Sequence, residues 1–192
     1  MYFDEFQDYN GADFKTMKYL LEKTKIRVTA VGDIFQSCLT PRARGASSPF
    51  NKINSAADLK KKLSNKIMVN ESELIKNRRV PPSVCEFIKS NLGIKIDSAS
   101  NVNAAIITLT EVESIHQIMI DSHIPNLIWN SRLKHALGNN YINWTYSKGD
   151  TYSQSCVILT DKTSRKDHWR STSVKTRNAL YVALTHSEGI CT

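Results

Sequence analysis

Asp4-Glu5-Phe6-Gln7-Asp8 places two adjacent carboxylates near the start of the chain, and a second polar stretch, Val31-Gly32-Asp33-Ile34-Phe35-Gln36-Ser37, follows at a telling distance. Between them lie one helix and one strand. Phe14, Met17, Leu20 and Leu21 recur at helical spacing, with Asn10 or Asp13 as a cap. Ile26 to Val31 is short and β-branched and ends at Gly32-Asp33, as a buried parallel strand entering a tight loop does. In an open α/β sheet the loops at the carboxyl ends of the strands face one crevice. An acidic pair there suits two tasks. One carboxylate holds Mg²⁺, largely through water, and its neighbour polarises an attacking water molecule. An isolated Asp-Glu is commonplace on protein surfaces, so the spacing to Gln36 carries the weight.

The same alternation continues. Residues 40–56 (TPRARGASSPFNKINSA) read as a loop or linker, and a basic helix follows from about Ser55 to Leu63. Ile67 to Ile75 is a candidate strand. Pro81-Pro82 opens a helix through Val84, Phe87 and Ile88. Ala104–Leu109, Leu127–Trp129, Ile142–Thr145 and Cys156–Leu159 read as strands, and Val112–Ile120 and Arg177–Thr185 as helices. The expectation is an α/β fold with a mostly parallel sheet.

Composition bounds the possibilities. The 192 residues are 41% hydrophobic and carry a net charge of +8, enough for a core and suited to a polyanionic partner. Lysines cluster at Lys60, Lys61, Lys62 and Lys66, and a second basic group comprises Lys162, Arg165, Lys166, Arg170, Lys175 and Arg177. Each is either a solvated face or part of a nucleic-acid surface. Cys38, Cys85, Cys156 and Cys191 have no CxxC spacing, and the histidines no metal-ligand spacing. With no apolar run long enough to span a bilayer, a reducing, cytoplasmic setting without a membrane partner is expected. Trp129, Trp144, Trp169, Tyr146 and Tyr152 are either core aromatics or stacking platforms for bases. Trp144 and Tyr146 are the first choices for stacking, and His168-Trp169 is expected to be exposed.

In order, DEFQD and VGDIFQS resemble motifs II and III of superfamily 1 helicases of the UvrD/Rep group. Asn77-Arg78-Arg79 resembles the N-Y-R element of motif IV. Tyr146-Ser147-Lys148-Gly149-Asp150-Thr151-Tyr152 is similar to motif V, and Ala179-Leu180-Tyr181-Val182-Ala183-Leu184-Thr185 to motif VI. The S-K-G-x-T form is nearest to helicase-like proteins of phage and plasmid type. The resemblance implies a RecA-like P-loop NTPase fold, with residues 1–56 ending a first lobe and residues 57–192 forming most of a second. It implies ATP and Mg²⁺ as ligands and single-stranded DNA as partner. Asp4 would hold the metal, and Glu5 would be the base. Gln36 would couple the γ-phosphate to DNA, and Arg79 would be an arginine finger. Gly149, Thr151 and His186 would face nucleotide, and Trp144, Tyr146 and Lys148 would face DNA.

Three departures stand against the pattern. None of the seven glycines begins a G-x-x-x-x-G-K-[ST] phosphate loop, the position of the motif VI arginine is His186, and the sequence ends at Thr192 where the family is expected to continue into another strand. Histidine is a poor substitute for a permanent, forked guanidinium. Three functional readings follow. The first is a piece of an ATP-dependent DNA helicase that is inactive alone. The second is a non-catalytic DNA-binding module derived from one. The third is half of a split enzyme whose partner segment or chain carries the phosphate loop.

Overall fold

The computed structural model describes residues 1–38, 49–63, 67–130 and 140–191. The chain divides into two units, Met1–Glu73 and Leu74–Thr192.

In the first unit, β1 (Tyr2–Phe3) and β2 (Thr29–Ala30) pair in parallel, Tyr2 opposite Thr29 and Phe3 opposite Ala30. Helix α1 (Gly11–Lys23) connects them, with Phe14 and Met17 buried as the spacing predicts. Helix α2 (Ala56–Lys62) begins at Ser55, whose Oγ accepts from Asp58 N at 3.2 Å. The Asp58 carboxylate reaches back to Asn54 N, a reciprocal cap. The core joins Phe6, Phe14, Met17, Phe50, Ile53, Leu59 and Leu63. Phe50 is fully buried and packs edge-on against both Phe6 and Phe14.

This packing moves the boundary expected after residue 56. Phe50 and Ile53, read as linker, and Leu59 and Leu63, assigned to the second lobe, all complete the first unit's core. Residues 39–48 of that linker and Lys66 of the basic cluster lie outside the described residues.

The second unit contains β3 (Lys76–Asn77), α3 (Pro82–Leu92), β4 (Asp97–Ser98), β5 (Ile106–Ile107), α4 (Val112–Ile120), β6 (Asn126–Ile128), β7 (Tyr141–Asn143), β8 (Ser155–Ile158), α5 (Val174–Thr185) and β9 (Ile190–Cys191). The main sheet runs β5-β9-β8-β6-β7, all parallel, and β3 pairs in parallel with β4. Residues Asn178 to Thr185 of α5 are all buried, so this helix is central. No strand forms over Ile67–Ile75, where Asn70 Oδ1 instead accepts from Ser72 N and Glu73 N in a turn. After α5 the chain forms a further short strand, β9, inserted between β5 and β8. Among the described residues no helix is long and apolar enough to cross a membrane.

Candidate functional site

Two clusters of the expected residues form, one in each unit. In the first, the carboxyl ends of β1 and β2 lie side by side, and Phe6 N donates to Val31 O at 3.1 Å. The loop after β1 therefore touches the loop after β2. Glu5 takes a left-handed backbone conformation (φ 50°, ψ 41°), an uncommon one for a side chain of its size. Such strain is characteristic of functional loops. Asp4 Oδ1 accepts from Glu5 N at 2.8 Å. Gln7 is buried, and its Nε2 donates to Glu5 Oε2. Asp33 caps the 3-10 turn Ile34–Gln36 by accepting from Phe35 N at 2.9 Å, which places half-buried Gln36 on the same pair of loops.

Gly32 explains itself sterically. A Cβ there would sit 2.1 Å from Gln7 Oε1, 2.7 Å from Phe6 Cδ1 and 3.0 Å from Phe6 N. Gly32→Ala is expected to cost about 1–3 kcal/mol by overpacking. Urea unfolding of the variant checks this, and a midpoint equal to that of the parent protein would refute the close approach of the loops.

Asp4 is exposed, with one oxygen on the Glu5 amide. Among the described residues no three His, Cys, Asp or Glu groups are arranged to hold a metal ion. Asp4 offers a single exposed carboxylate, a donor that suits a cation keeping most of its ligands as water, as Mg²⁺ does.

The second cluster gathers the stretches around Asn77–Arg79, Ser147–Tyr152 and His186. Asn77 Oδ1 accepts from both Arg79 N (2.8 Å) and Val80 N (2.9 Å), and Ser98 Oγ donates to Val80 O at 2.6 Å. This turn, stopped by Pro81, presents Arg79. Asn77, which carries no expected role from its place in the sequence, is what builds this turn. The local signal is an Asn two residues before Arg79, the pattern of an Asx turn.

Ser147-Lys148-Gly149-Asp150 is a type II turn. Lys148 has φ −58° and ψ 126°, Gly149 has φ 95°, and Asp150 N donates to Ser147 O at 3.0 Å. Gly149 is thus demanded by backbone conformation. A Cβ there would meet nothing within 4 Å. Tyr152 N donates to His186 O and Glu188 N to Tyr152 O, so the stretches leading into β8 and β9 are zipped together at the amino ends of those strands.

The side chains converge on Arg79. Its Nη1 lies 3.5 Å from both Asp150 O and Thr151 Oγ1, and its Nη2 lies 3.4 Å from His186 Nε2. His186 Nδ1 is 2.8 Å from Asp150 O. Among the described residues no carboxylate pairs with Arg79, and the Asp150 carboxylate accepts from Tyr152 OH at 2.7 Å. Burial of His186 depresses its pKa, and the Arg79 and Lys148 charges depress it further, against the opposing pull of the Asp150 carbonyl. The cluster is a cationic, incompletely neutralised corner beside a neutral imidazole.

Two aromatic assignments change. Trp144 is fully buried, donates from Nε1 to Leu127 O at 2.9 Å and packs edge-on against Trp129, so it has no face for a base. Trp169, expected exposed, is also fully buried and donates to Thr163 O at 2.6 Å. Tyr181 lies in the core. Tyr146 remains 75% exposed, and Lys148 is half-buried beside it in sequence. In the second basic group, Lys166 bonds Thr108 Oγ1 and lies over the Phe87 ring. Arg170 donates to the α3 terminal carbonyls of Lys89 and Ser90, and Arg165 pairs with Asp167. Those three cations have structural partners.

No family model and no curated protein matches this chain. Among solved structures, the PRRSV helicase is similar, with a TM-score of 0.60 at 17% identity, over 99% of this chain. The chain spans 33% of that protein's length. The likeness defines a helicase-like α/β fold.

Proposed function

We propose that these residues are part of a superfamily 1, UvrD-like DNA helicase, in which ATP hydrolysis drives movement along single-stranded DNA. On this reading Met1–Glu73 ends a first RecA-like lobe and Leu74–Thr192 makes most of a second. The observation that carries the proposal is the convergence of Arg79, Thr151 and His186, from three separate motifs, around a guanidinium with no carboxylate partner among the described residues. A partly buried, unneutralised guanidinium suits the charge that develops on a transferring phosphoryl group. Asp4 would hold Mg²⁺, which supplies charge neutralisation when bound. Glu5, oriented by Gln7, would accept a proton from the attacking water, and Gln36 would contact the terminal phosphate. Lys148 and exposed Tyr146 are the DNA-side candidates.

The reading requires a phosphate loop in addition to these residues. The chain alone is therefore expected to show no ATP turnover with Mg²⁺ and single-stranded DNA, and turnover is expected once a G-x-x-x-x-G-K-[ST] segment is joined in cis or mixed in. Phosphate release measures both. Turnover by the isolated chain that Glu5→Gln abolishes would sink the requirement. Turnover in the completed assembly that Glu5→Gln leaves untouched would sink the catalytic assignment.

A further inference from the structure

The residue that departs from the helicase pattern, His186, has a defined place in this structure. A carbonyl oxygen can only accept a hydrogen bond, so the 2.8 Å contact with Asp150 O puts the imidazole proton on Nδ1. Nε2 is then left with a lone pair. Arginine can only donate, so the 3.4 Å contact has Arg79 Nη2 donating to that lone pair. The polarity of the whole chain, guanidinium to imidazole to carbonyl, follows from these two facts. The ring is 1% exposed, and Tyr152 N, which binds the His186 carbonyl, anchors its backbone as well. Arg79 Nε is buried without a partner, so the placement of the guanidinium rests on its three Nη contacts, of which His186 supplies the one to Nη2.

We infer that His186 is a positioning residue for Arg79, a neutral acceptor that aims the guanidinium without cancelling its charge. A carboxylate at this position would neutralise Arg79, and an arginine would repel it. Neutral imidazole held by the Asp150 carbonyl does neither. The inference rests on the reading of Arg79 as a phosphate-facing group, but the geometry of the contact can be tested apart from it.

The test uses the ¹⁵N-labelled chain and long-range imidazole spectra at pH 7. The expected signature is a His186 ring protonated at Nδ1 only, with an Nε2 resonance displaced from that of a free imine nitrogen. Arg79→Met should return Nε2 to the free value and leave the tautomer unchanged. A ring protonated at Nε2, a doubly protonated ring, or an Nε2 signal indifferent to Arg79→Met would overturn the proposal. A second arm titrates inorganic tripolyphosphate while following the Arg79 Nε–H resonance. His186→Leu is expected to weaken that response about tenfold. His186→Gln, which returns an acceptor near the Nε2 position, should restore it, whereas equal weakening in both variants would reduce His186 to a packing role and overturn the proposal. If tripolyphosphate leaves the Arg79 resonance unmoved while the tautomer signature holds, the phosphate-facing reading of Arg79 falls and the His186–Arg79 placement stands.

Discussion

Arg79→Ala is expected to lower ATP turnover by about 10³–10⁵-fold in an assembly that includes a phosphate loop. The size of the effect follows from what the guanidinium lacks. No carboxylate neutralises it among the described residues, and its contacts to His186, Thr151 and the Asp150 carbonyl are long, at 3.4–3.5 Å. Little stability is therefore invested in holding it. Losing those contacts should cost about 1 kcal/mol of folding stability, so the variant remains folded and its defect can be read as chemistry. Arg79→Lys should recover little activity, because an ammonium cannot reproduce the planar fork. Steady-state phosphate release with Mg²⁺ and single-stranded DNA, compared with the denaturation midpoint, separates the two effects. A turnover within tenfold of the parent protein would remove Arg79 from the catalytic set.

The largest effect on stability is expected at Trp144. Trp144→Ala should destabilise the second unit by about 3–5 kcal/mol, a large share of the total for a small domain. The indole is fully buried, its Nε1–H is satisfied by Leu127 O, and Leu127 belongs to β6, inside the main sheet. Removing the ring leaves a cavity against Trp129 and takes one hydrogen bond from Leu127 O. Tyr146→Ala should behave in the opposite way. That side chain is 75% exposed, so its loss should change stability by no more than about 0.5 kcal/mol. If it stacks on a base, single-stranded DNA binding should weaken by about 1–3 kcal/mol. Urea unfolding followed by circular dichroism, alongside fluorescence anisotropy with a labelled oligonucleotide, tests the pair. An unchanged Trp144→Ala midpoint combined with a selective loss of DNA binding would restore the stacking role that burial denies it.

Much of this architecture was legible in local patterns. Helix α4 falls on the periodic run Val112–Ile120 and α2 on the run opened by the Ser55 cap, and β8 lies over the apolar run CVIL. These elements depend on spacing, capping and β-branching within a few residues, which a chain carries in its order. The two-residue strands β3, β4 and β9 were not visible. Two residues carry no period, and Lys76–Asn77 or Asp97–Ser98 becomes a strand only because the other lies beside it. The domain boundary failed for a related reason. A Pro/Gly/Ser-rich stretch looks like a linker until Phe50 is seen buried between Phe6 and Phe14.

The candidate site divides along the same line. By itself the sequence determined which residues were worth attention: Asp4, Glu5 and Gln36 in one half, and Arg79, Lys148, Gly149, Thr151 and His186 in the other, in an order that resembles one family. It also placed Gly32 where a strand enters a tight loop. Only the tertiary structure decided that Gly32 is required because Gln7 and Phe6 crowd it, that Trp144 is core, and that His186 accepts from Arg79. Hydrogen-bond polarity and burial are properties of pairs of groups brought together from distant positions, 107 residues apart for Arg79 and His186. Residue order states which groups are present, and packing alone states which of them meet.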